Sequence, residues 1–331
     1  MRWGVVSTAA INDLVLPAFA RSERAELVAV ASRDLDRARR YASERGIPRA
    51  YGSYEELLAD EDVDCLYISL PNGLHAGWTR RALEAGKHVL CEKPLTPTAE
   101  EAVALFALAE ERGRLLMEAF MYRHHPQTLR AAELVSEGAI GEPVIVRSWF
   151  HFEVDEPSED VRYSADLAGG ALRDVGCYCV SFSNFLLGGP PGEMSGVARM
   201  SESGVDQRFS GSMAYPGGAL ATFDCSIQAP LEIGLTVLGS EGELHIPTPW
   251  YPHEPPMKVL LTRAGEVEEI ATEGDDSYFL EIENFTAAAS GDGEPRVSAA
   301  ETLRTLDTID RLVLAAGIGR PATTADPEPA I

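Results

Sequence analysis

Cys65-Leu66-Tyr67-Ile68-Ser69-Leu70 runs straight into Pro71-Asn72-Gly73-Leu74-His75, and residues 75–85 then carry a helical pattern that Gly86 is placed to end. A short apolar strand, a loop at its carboxyl end and a helix behind it make one βα unit. The same unit recurs on both sides. Upstream, Trp3–Val6 reads as a strand, Leu14–Arg21 as a helix, Leu27–Ala31 as a strand, and Asp34–Arg45 as a helix capped by Asp34. Downstream come a strand at Val89–Cys91, a helix at Pro97–Arg112 closed by Gly113, and a strand at Leu115–Ala119. Repeated βα units of this length predict a parallel sheet covered by helices on both faces.

The rhythm changes after residue 122. Pro126–Glu137 reads as a helix, Val144–Phe152 as a long strand and Leu172–Leu187 as a helix. Residues 193–271 read as a β-meander. Within it Ala221, Phe223, Cys225 and Ile227 alternate with Thr222, Asp224, Ser226 and Gln228, so one face is buried and the other polar. Tyr278–Ala289 and Ala299–Ala316 read as closing helices. The expected fold class is α/β: a doubly wound, dinucleotide-binding Rossmann domain over 1–122, then an α+β domain over 123–321 with a mostly antiparallel, open-faced sheet. A polar tail over 322–331 is expected to be frayed.

Composition narrows the function classes. The 331 residues hold 52 acidic and 28 basic side chains, a formal net charge of −24. Such a surface repels phosphate backbones, so nucleic acid is not an expected partner. No apolar run reaches the length of a membrane span, and no secretory signal pattern opens the chain, so a cytoplasmic protein is expected. The five cysteines suit buried thiols in a reducing compartment, and Cys177 and Cys179 lack the spacing and partner pair of a zinc site, so no metal is expected.

In a doubly wound fold the first βα turn cradles the pyrophosphate, and the end of the second strand chooses between nicotinamide cofactors. Here the turn is Gly4-Val5-Val6-Ser7-Thr8-Ala9-Ala10, with Ser7 and Ala9 where glycines are usual. Small side chains let the backbone approach phosphate, and the Ser7 and Thr8 hydroxyls are possible donors. Ser32-Arg33 ends the second strand, where an arginine pairs with the 2′-phosphate of NADP. The bland alternative is a solvated arginine at a helix start, and Asp34 one residue on argues for NAD. His75, beside the cofactor loop, either touches the cofactor or begins the next helix.

Cys91-Glu92-Lys93-Pro94 follows a short strand directly, which sets Lys93 at the crevice; a cis Lys93–Pro94 bond would aim its ammonium inward. A surface Lys-Pro turn is the alternative. In Gly169-Gly170-Ala171-Leu172-Arg173-Asp174-Val175-Gly176-Cys177-Tyr178, Asp174 and Tyr178 are four apart and would share a helix face.

Glu92-Lys93-Pro94, the Gly169-Gly170…Asp174…Tyr178 segment, Glu118-Ala119-Phe120-Met121-Tyr122-Arg123 with Pro126, and Gly239-Ser240-Glu241-Gly242 together resemble the glucose–fructose oxidoreductase/inositol dehydrogenase family (Gfo/Idh/MocA). The resemblance spans essentially the whole chain. Tyr178 stands where many members carry His. The chain is therefore similar to the Tyr-containing branch, with its glucose–fructose oxidoreductases, dimeric dihydrodiol dehydrogenases and NADP-dependent sugar ketoreductases.

The resemblance implies an NADP(H)-dependent oxidoreductase acting on a hydroxyl- or ketone-bearing carbon of a sugar, sugar derivative or cyclic diol. Lys93, Tyr178 and Asp174 are the expected catalytic residues, with the Lys93 ammonium lowering the pKa of Tyr178 so that it works as the proton partner; Lys93 as the proton donor is the alternative. The cofactor is expected along Ser7, Thr8, Ala9, Ser32, Arg33, Leu70, Pro71, Asn72, His75, Glu92 and Lys93, and the substrate at Arg123, Arg162 and Tyr163. Ser7 and Ala9 depart from the family's phosphate-loop glycines. The family also implies a homodimer or homotetramer formed through the C-terminal sheet. An NAD-dependent glycosidase of the same fold and a non-enzymatic nucleotide-binding regulator are the alternatives.

Overall fold

A computed structural model describes residues 1–155, 160–251 and 257–319. The expected frayed tail, 322–331, lies outside the described residues. The first sheet holds six strands: β1 (Arg2–Val6), β2 (Glu26–Ala31), β3 (Arg49–Tyr51), β4 (Cys65–Ile68), β5 (His88–Glu92) and β6 (Leu116–Ala119). They are all parallel, in the order β3-β2-β1-β4-β5-β6. The order reverses between β1 and β4, so the crevice opens above their carboxyl ends. Helices α1 (Asn12–Arg21), α2 (Leu35–Arg45), α3 (Tyr54–Leu58), α4 (Asn72–Glu84) and α5 (Ala99–Arg112) form the crossovers. The central strands are buried along most of their length, as near-continuous apolar runs require.

Two short elements, β3 and α3, were not foreseen; three and five residues give no readable periodicity. The expected loop at 70–75 is largely helix, since α4 already begins at Asn72.

The second sheet holds β7 (Pro143–Glu153), β8 (Met194–Met200), β9 (Asp206–Ala214), β10 (Leu220–Ser226), β11 (Gln228–Gly239), β12 (Gly242–Ile246), β13 (Met257–Arg263) and β14 (Glu266–Thr272). Its order is β14-β13-β12-β11-β7-β10-β9-β8. The meander reading is corrected here. β7 inserts between β10 and β11 and pairs parallel with β10, a long-range pairing that local pattern does not reveal. Ala221, Phe223, Cys225 and Ile227 are buried and Thr222, Asp224 and Gln228 exposed, as the alternation requires, whereas Ser226 departs from it and is buried, its Oγ accepting the Gln228 N–H.

Helix α6 (Pro126–Ser136) follows a 3₁₀ turn at Met121–His124. The expected helix over 172–187 is two pieces, a π-helical turn at Leu172–Gly176 and α7 (Cys177–Leu186). The closing helices α8 (Ser277–Ala289) and α9 (Ala299–Ala315) return to the first sheet. Phe285 packs on Trp3 with ring centroids 5.0 Å apart, Asp310 accepts the N–H that opens α5, and Leu306 joins the core behind β4 and β5.

Candidate active site

The carboxyl end of β5 delivers Glu92 and Lys93 to the crevice. The Lys93–Pro94 bond is cis. Three contacts hold the turn: Leu95 N–H donates to Glu118 Oε1 of β6 (2.9 Å), Lys93 N–H to Glu92 Oε2 (3.2 Å), and the Tyr67 hydroxyl to Glu92 Oε1 (2.6 Å). Burial raises the pKa of both carboxyls, that of Glu118 to about 7.

The π-helical turn, which lies between β7 and β8 in the chain, meets Lys93. Lys93 Nζ donates to Asp174 Oδ1 (3.0 Å) and to the Asp174 main-chain oxygen (2.6 Å). The other carboxylate oxygen of Asp174 takes Nε of Arg162 (2.7 Å), which also pairs with Asp160. Burial opposes both charges, but Lys93 and Arg162 hold the Asp174 pKa below the ordinary value. Likewise burial works against Lys93, yet Asp174, Cys177 and Glu92 outweigh it and raise its pKa. A π turn widens the backbone by one residue, and such turns cluster at functional sites.

Tyr178 is enclosed by rings. Phe120, Tyr122, Phe150 and Trp250 lie with centroids 5.4 to 5.9 Å from its own, and Lys93 Nζ sits over its face at 5.2 Å. Its hydroxyl faces Met121 Sδ at 3.7 Å. The expectation that Lys93 lowers the phenol's pKa is corrected. Burial, reinforced by Tyr251, Tyr278 and Glu92, pushes it well above the ordinary value. Tyr178 is therefore an uncharged phenol at neutral pH.

At the β1 turn Ser7 adopts φ +127°, a region that strains any residue with a side chain. Its hydroxyl lies 2.8 Å from Ser69 Oγ and 3.1 Å from Ser69 O and accepts the Ala9 N–H (3.2 Å), while its carbonyl accepts from Asn12. That hydroxyl braces the turn across the switch point instead of standing ready for phosphate. Thr8 and Ala9 are partly exposed just before α1, where a helix N-terminus favours an anion. Ser32 is buried, and its Oγ accepts the Asp34 N–H at 3.4 Å. The Asp34 side chain takes the Arg37 N–H (2.6 Å) as the cap of α2, so its carboxylate is committed to the helix. Exposed Arg33 and Arg37 both act on the Tyr54 hydroxyl, which places two guanidiniums at the end of β2.

Other expected site residues are placed differently. His75 is fully buried, with its ring nitrogens 2.8 Å from Pro94 O and 2.7 Å from Leu70 O, so it ties α4 to the lysine turn rather than facing the crevice. Leu70 is buried, and Pro71 and Asn72 are partly exposed; Asn72 Nδ2 donates to Ala168 O (3.1 Å) and Gly73 N–H to Leu167 O (2.9 Å), which joins α4 to the loop before the π turn. Arg123 is 3% exposed, paired with Glu301 of α9 (2.7 Å) and stacked on Phe185. It is a structural pin, not a substrate contact. Tyr163 packs on the core beside Gln228. Of the three expected substrate residues, the structure shows a contact with the Lys93–Asp174 pair only for Arg162. Sequence reasoning missed Phe120, Phe150, Trp250, Tyr251 and Arg37; an inward-facing Phe150 on β7 was the readable signal. No cluster of metal-ligating side chains occurs among the described residues.

Residues 1–120 match the GFO_IDH_MocA description, an oxidoreductase family with an NAD-binding Rossmann fold, and residues 128–245 match the GFO/IDH/MocA C-terminal domain. The chain is 44% identical over 322 residues to a D-xylose 1-dehydrogenase (NADP(+)) of Haloferax volcanii, covering 96% of this chain and 98% of that one. It is 39% identical to a trans-1,2-dihydrobenzene-1,2-diol dehydrogenase of Mus musculus, over 77% of each chain. The crystal structure of a 3-ketoreductase from Actinomadura kijaniata with NADP and TDP-benzene superimposes with a TM-score of 0.89 at 34% identity, covering 95% of this chain and 97% of that one.

Proposed function

The chain belongs to the Gfo/Idh/MocA oxidoreductase family, and on that premise we propose that it moves hydride between NADP(H) and a hydroxyl- or ketone-bearing carbon of a sugar, a sugar derivative or a cyclic diol. The observation that carries the reading is the Lys93–Asp174 pair, set over the Tyr178 ring at the carboxyl end of β5. Relatives named as a xylose dehydrogenase, a diol dehydrogenase and a sugar ketoreductase support the substrate class. None of them is named as a glycosidase or a regulator.

The residues fit an NADP molecule. Asp34 is committed to its cap, Arg33 and Arg37 can pair with a 2′-phosphate, and Thr8 and Ala9 lead into the N-terminus of α1. When bound, the cofactor supplies or accepts the hydride. Lys93, kept charged by Asp174, stabilises the negative charge that builds on the substrate oxygen during reduction. Tyr178 donates the proton to that oxygen, and in oxidation the proton returns by the same route. Arg162 holds the far oxygen of Asp174 and presents a half-exposed guanidinium toward substrate hydroxyls.

The open face of the second sheet supports self-association. Trp149 and His245 stack there with centroids 6.5 Å apart, flanked by partly exposed Ile145 and Leu238, an apolar centre that a second copy would bury. The five cysteines are buried free thiols, which suits the reducing cytoplasm, and no helix among the described residues is long and apolar enough to cross a membrane. One screen tests the function. NADP reduction and NADPH oxidation are followed over aldoses, keto-sugars, nucleotide sugars and cyclic diols, and turnover is expected in at least one class. NADP binding without turnover in any class would point to a sensor.

A further inference from the structure

Asp206, the first residue of β9, takes no part in the chemistry above. Its carboxylate is 4% exposed and lies directly behind the turn that carries Asp174. Oδ2 accepts the N–H of Leu172 at 2.7 Å, the first residue of the π turn. Oδ1 occupies the space beside Gly170, where a Cβ would lie 2.2 Å from it, and Gly170 has φ +113°. The neighbouring glycine makes a similar allowance: a Cβ on Gly169 would lie 2.3 Å from Arg162 O, the atom that accepts the Gly170 N–H at 2.9 Å. The two glycines thus let a carboxylate and the Arg162 loop close on one point of backbone. Arg173, between Leu172 and Asp174, is also buried, and its Nε reaches Pro97 O (3.4 Å), four residues past Lys93.

We infer that Asp206 is a positioning residue: by anchoring Leu172 in the gap left by Gly170, it sets the height and rotation of the π turn and so brings Asp174 onto Lys93. The inference rests on the reading of Lys93, Asp174 and Tyr178 as the reacting group.

An ionised carboxylate is a much stronger acceptor for a backbone N–H than its protonated form. The groups facing Asp206 are Arg173 from the π turn, which favours its charge, and the Cys225 thiol from β10. Burial outweighs the Leu172 hydrogen bond and Arg173, and raises the Asp206 pKa to about 6. The anchor is therefore charged at neutral pH and weakens as pH falls through that value. A raised pKa also means that the folded chain binds this proton more tightly than the unfolded one, so protonation at Asp206 does not cost global stability. The loosening it causes is local to the turn.

The test compares wild type, Asp206→Asn and Lys93→Met in kcat between pH 5 and 8, in NADP KM, and in amide hydrogen exchange over residues 170–178. In Asp206→Asn, kcat at neutral pH should fall about tenfold, within the range expected for a misplaced catalytic group. The NADP KM should stay within about twofold, because the cofactor groups lie on the other sheet. Exchange over 170–178 should speed up, and the acid limb present in wild type should disappear, which a general packing defect would not bring about. An Asp206→Asn protein with wild-type kcat, acid limb and exchange overturns the inference, provided Lys93→Met is inactive. If Lys93→Met keeps its turnover, the functional reading fails instead, and the exchange data still decide whether Asp206 holds the turn. If Asp206→Asn does not fold, Gly170→Ala serves, since its Cβ displaces Oδ1; unchanged kcat and exchange in that variant overturn the inference.

Discussion

Lys93 Nζ contacts Asp174 twice, at a carboxylate oxygen 3.0 Å away and at the main-chain oxygen 2.6 Å away. One residue of the π-helical turn thus supplies both partners of the ammonium, and the pair ties that turn to the end of β5. Both side chains are more than four-fifths buried, so neither charge is well hydrated on its own. Asp174→Ala should leave the lysine charge unpaired and destabilise the protein by roughly 3 kcal/mol, the scale for breaking a buried pair from one side. Chemical unfolding of the variant against wild type checks this. A change within about 0.5 kcal/mol, the size of an ordinary surface substitution, would mean that the pair is well solvated.

Arg33→Ala should raise KM for NADP at least tenfold and leave KM for NAD nearly unchanged, since a lost guanidinium–phosphate contact costs more than about 1.4 kcal/mol. Arg37→Ala should act in the same direction. The measurement is the ratio of kcat/KM for the two cofactors. Equal effects on both would detach Arg33 from the 2′-phosphate.

Glu118 is fully buried with a pKa raised to about 7, chiefly by burial. An acid with a raised pKa binds its proton more tightly when folded, so its contribution favours the native state below the unfolded pKa and is lost as pH rises to about 7. Wild type should therefore lose stability between pH 5 and 7.5 relative to Glu118→Gln, by up to about 3 kcal/mol. Urea midpoints at the two pH values check this. Parallel stability curves would place the Glu118 titration elsewhere.

The formal charge of −24 sets a salt dependence. Like charges spread over the surface repel, and the repulsion is screened over about 10 Å at 0.1 M salt. Tm should rise steadily with KCl from low ionic strength to molar levels, and a flat response would mean that the surface charges are already balanced locally by pairs such as Arg2–Asp64 and Arg81–Glu55.

Legibility in the sequence followed range. The βα rhythm, the caps at Asp34 and the stops at Gly86 and Gly113 are local, and each stands where the pattern put it. Lys93, Asp174 and Tyr178 were legible because their motifs are compact, and the structure gathers them from the end of β5, the π-helical turn and α7. What depended on three-dimensional company was not. Asp34, read from the pattern as a cap, also left the choice between NAD and NADP open, and the structure commits its carboxylate to the cap. Arg123 looked like a site residue because it is charged and follows β6, but Glu301, 178 residues on, claims it. The Tyr178 pKa was read in the wrong direction, since adjacency to Lys93 says nothing of the ring of aromatics that desolvates the phenol. Asp206 carried no signal at all, because its partner Leu172 is reached only across the fold.

Lys93 is proposed as the charged group of a hydride-transfer site. The most direct measurement is kcat of Lys93→Met for NADP-linked turnover, with NADP affinity measured alongside by fluorescence titration. Turnover should fall about a hundredfold or more in kcat with NADP still bound within a few-fold of wild type. Near-normal turnover by the variant with its cofactor bound would contradict it.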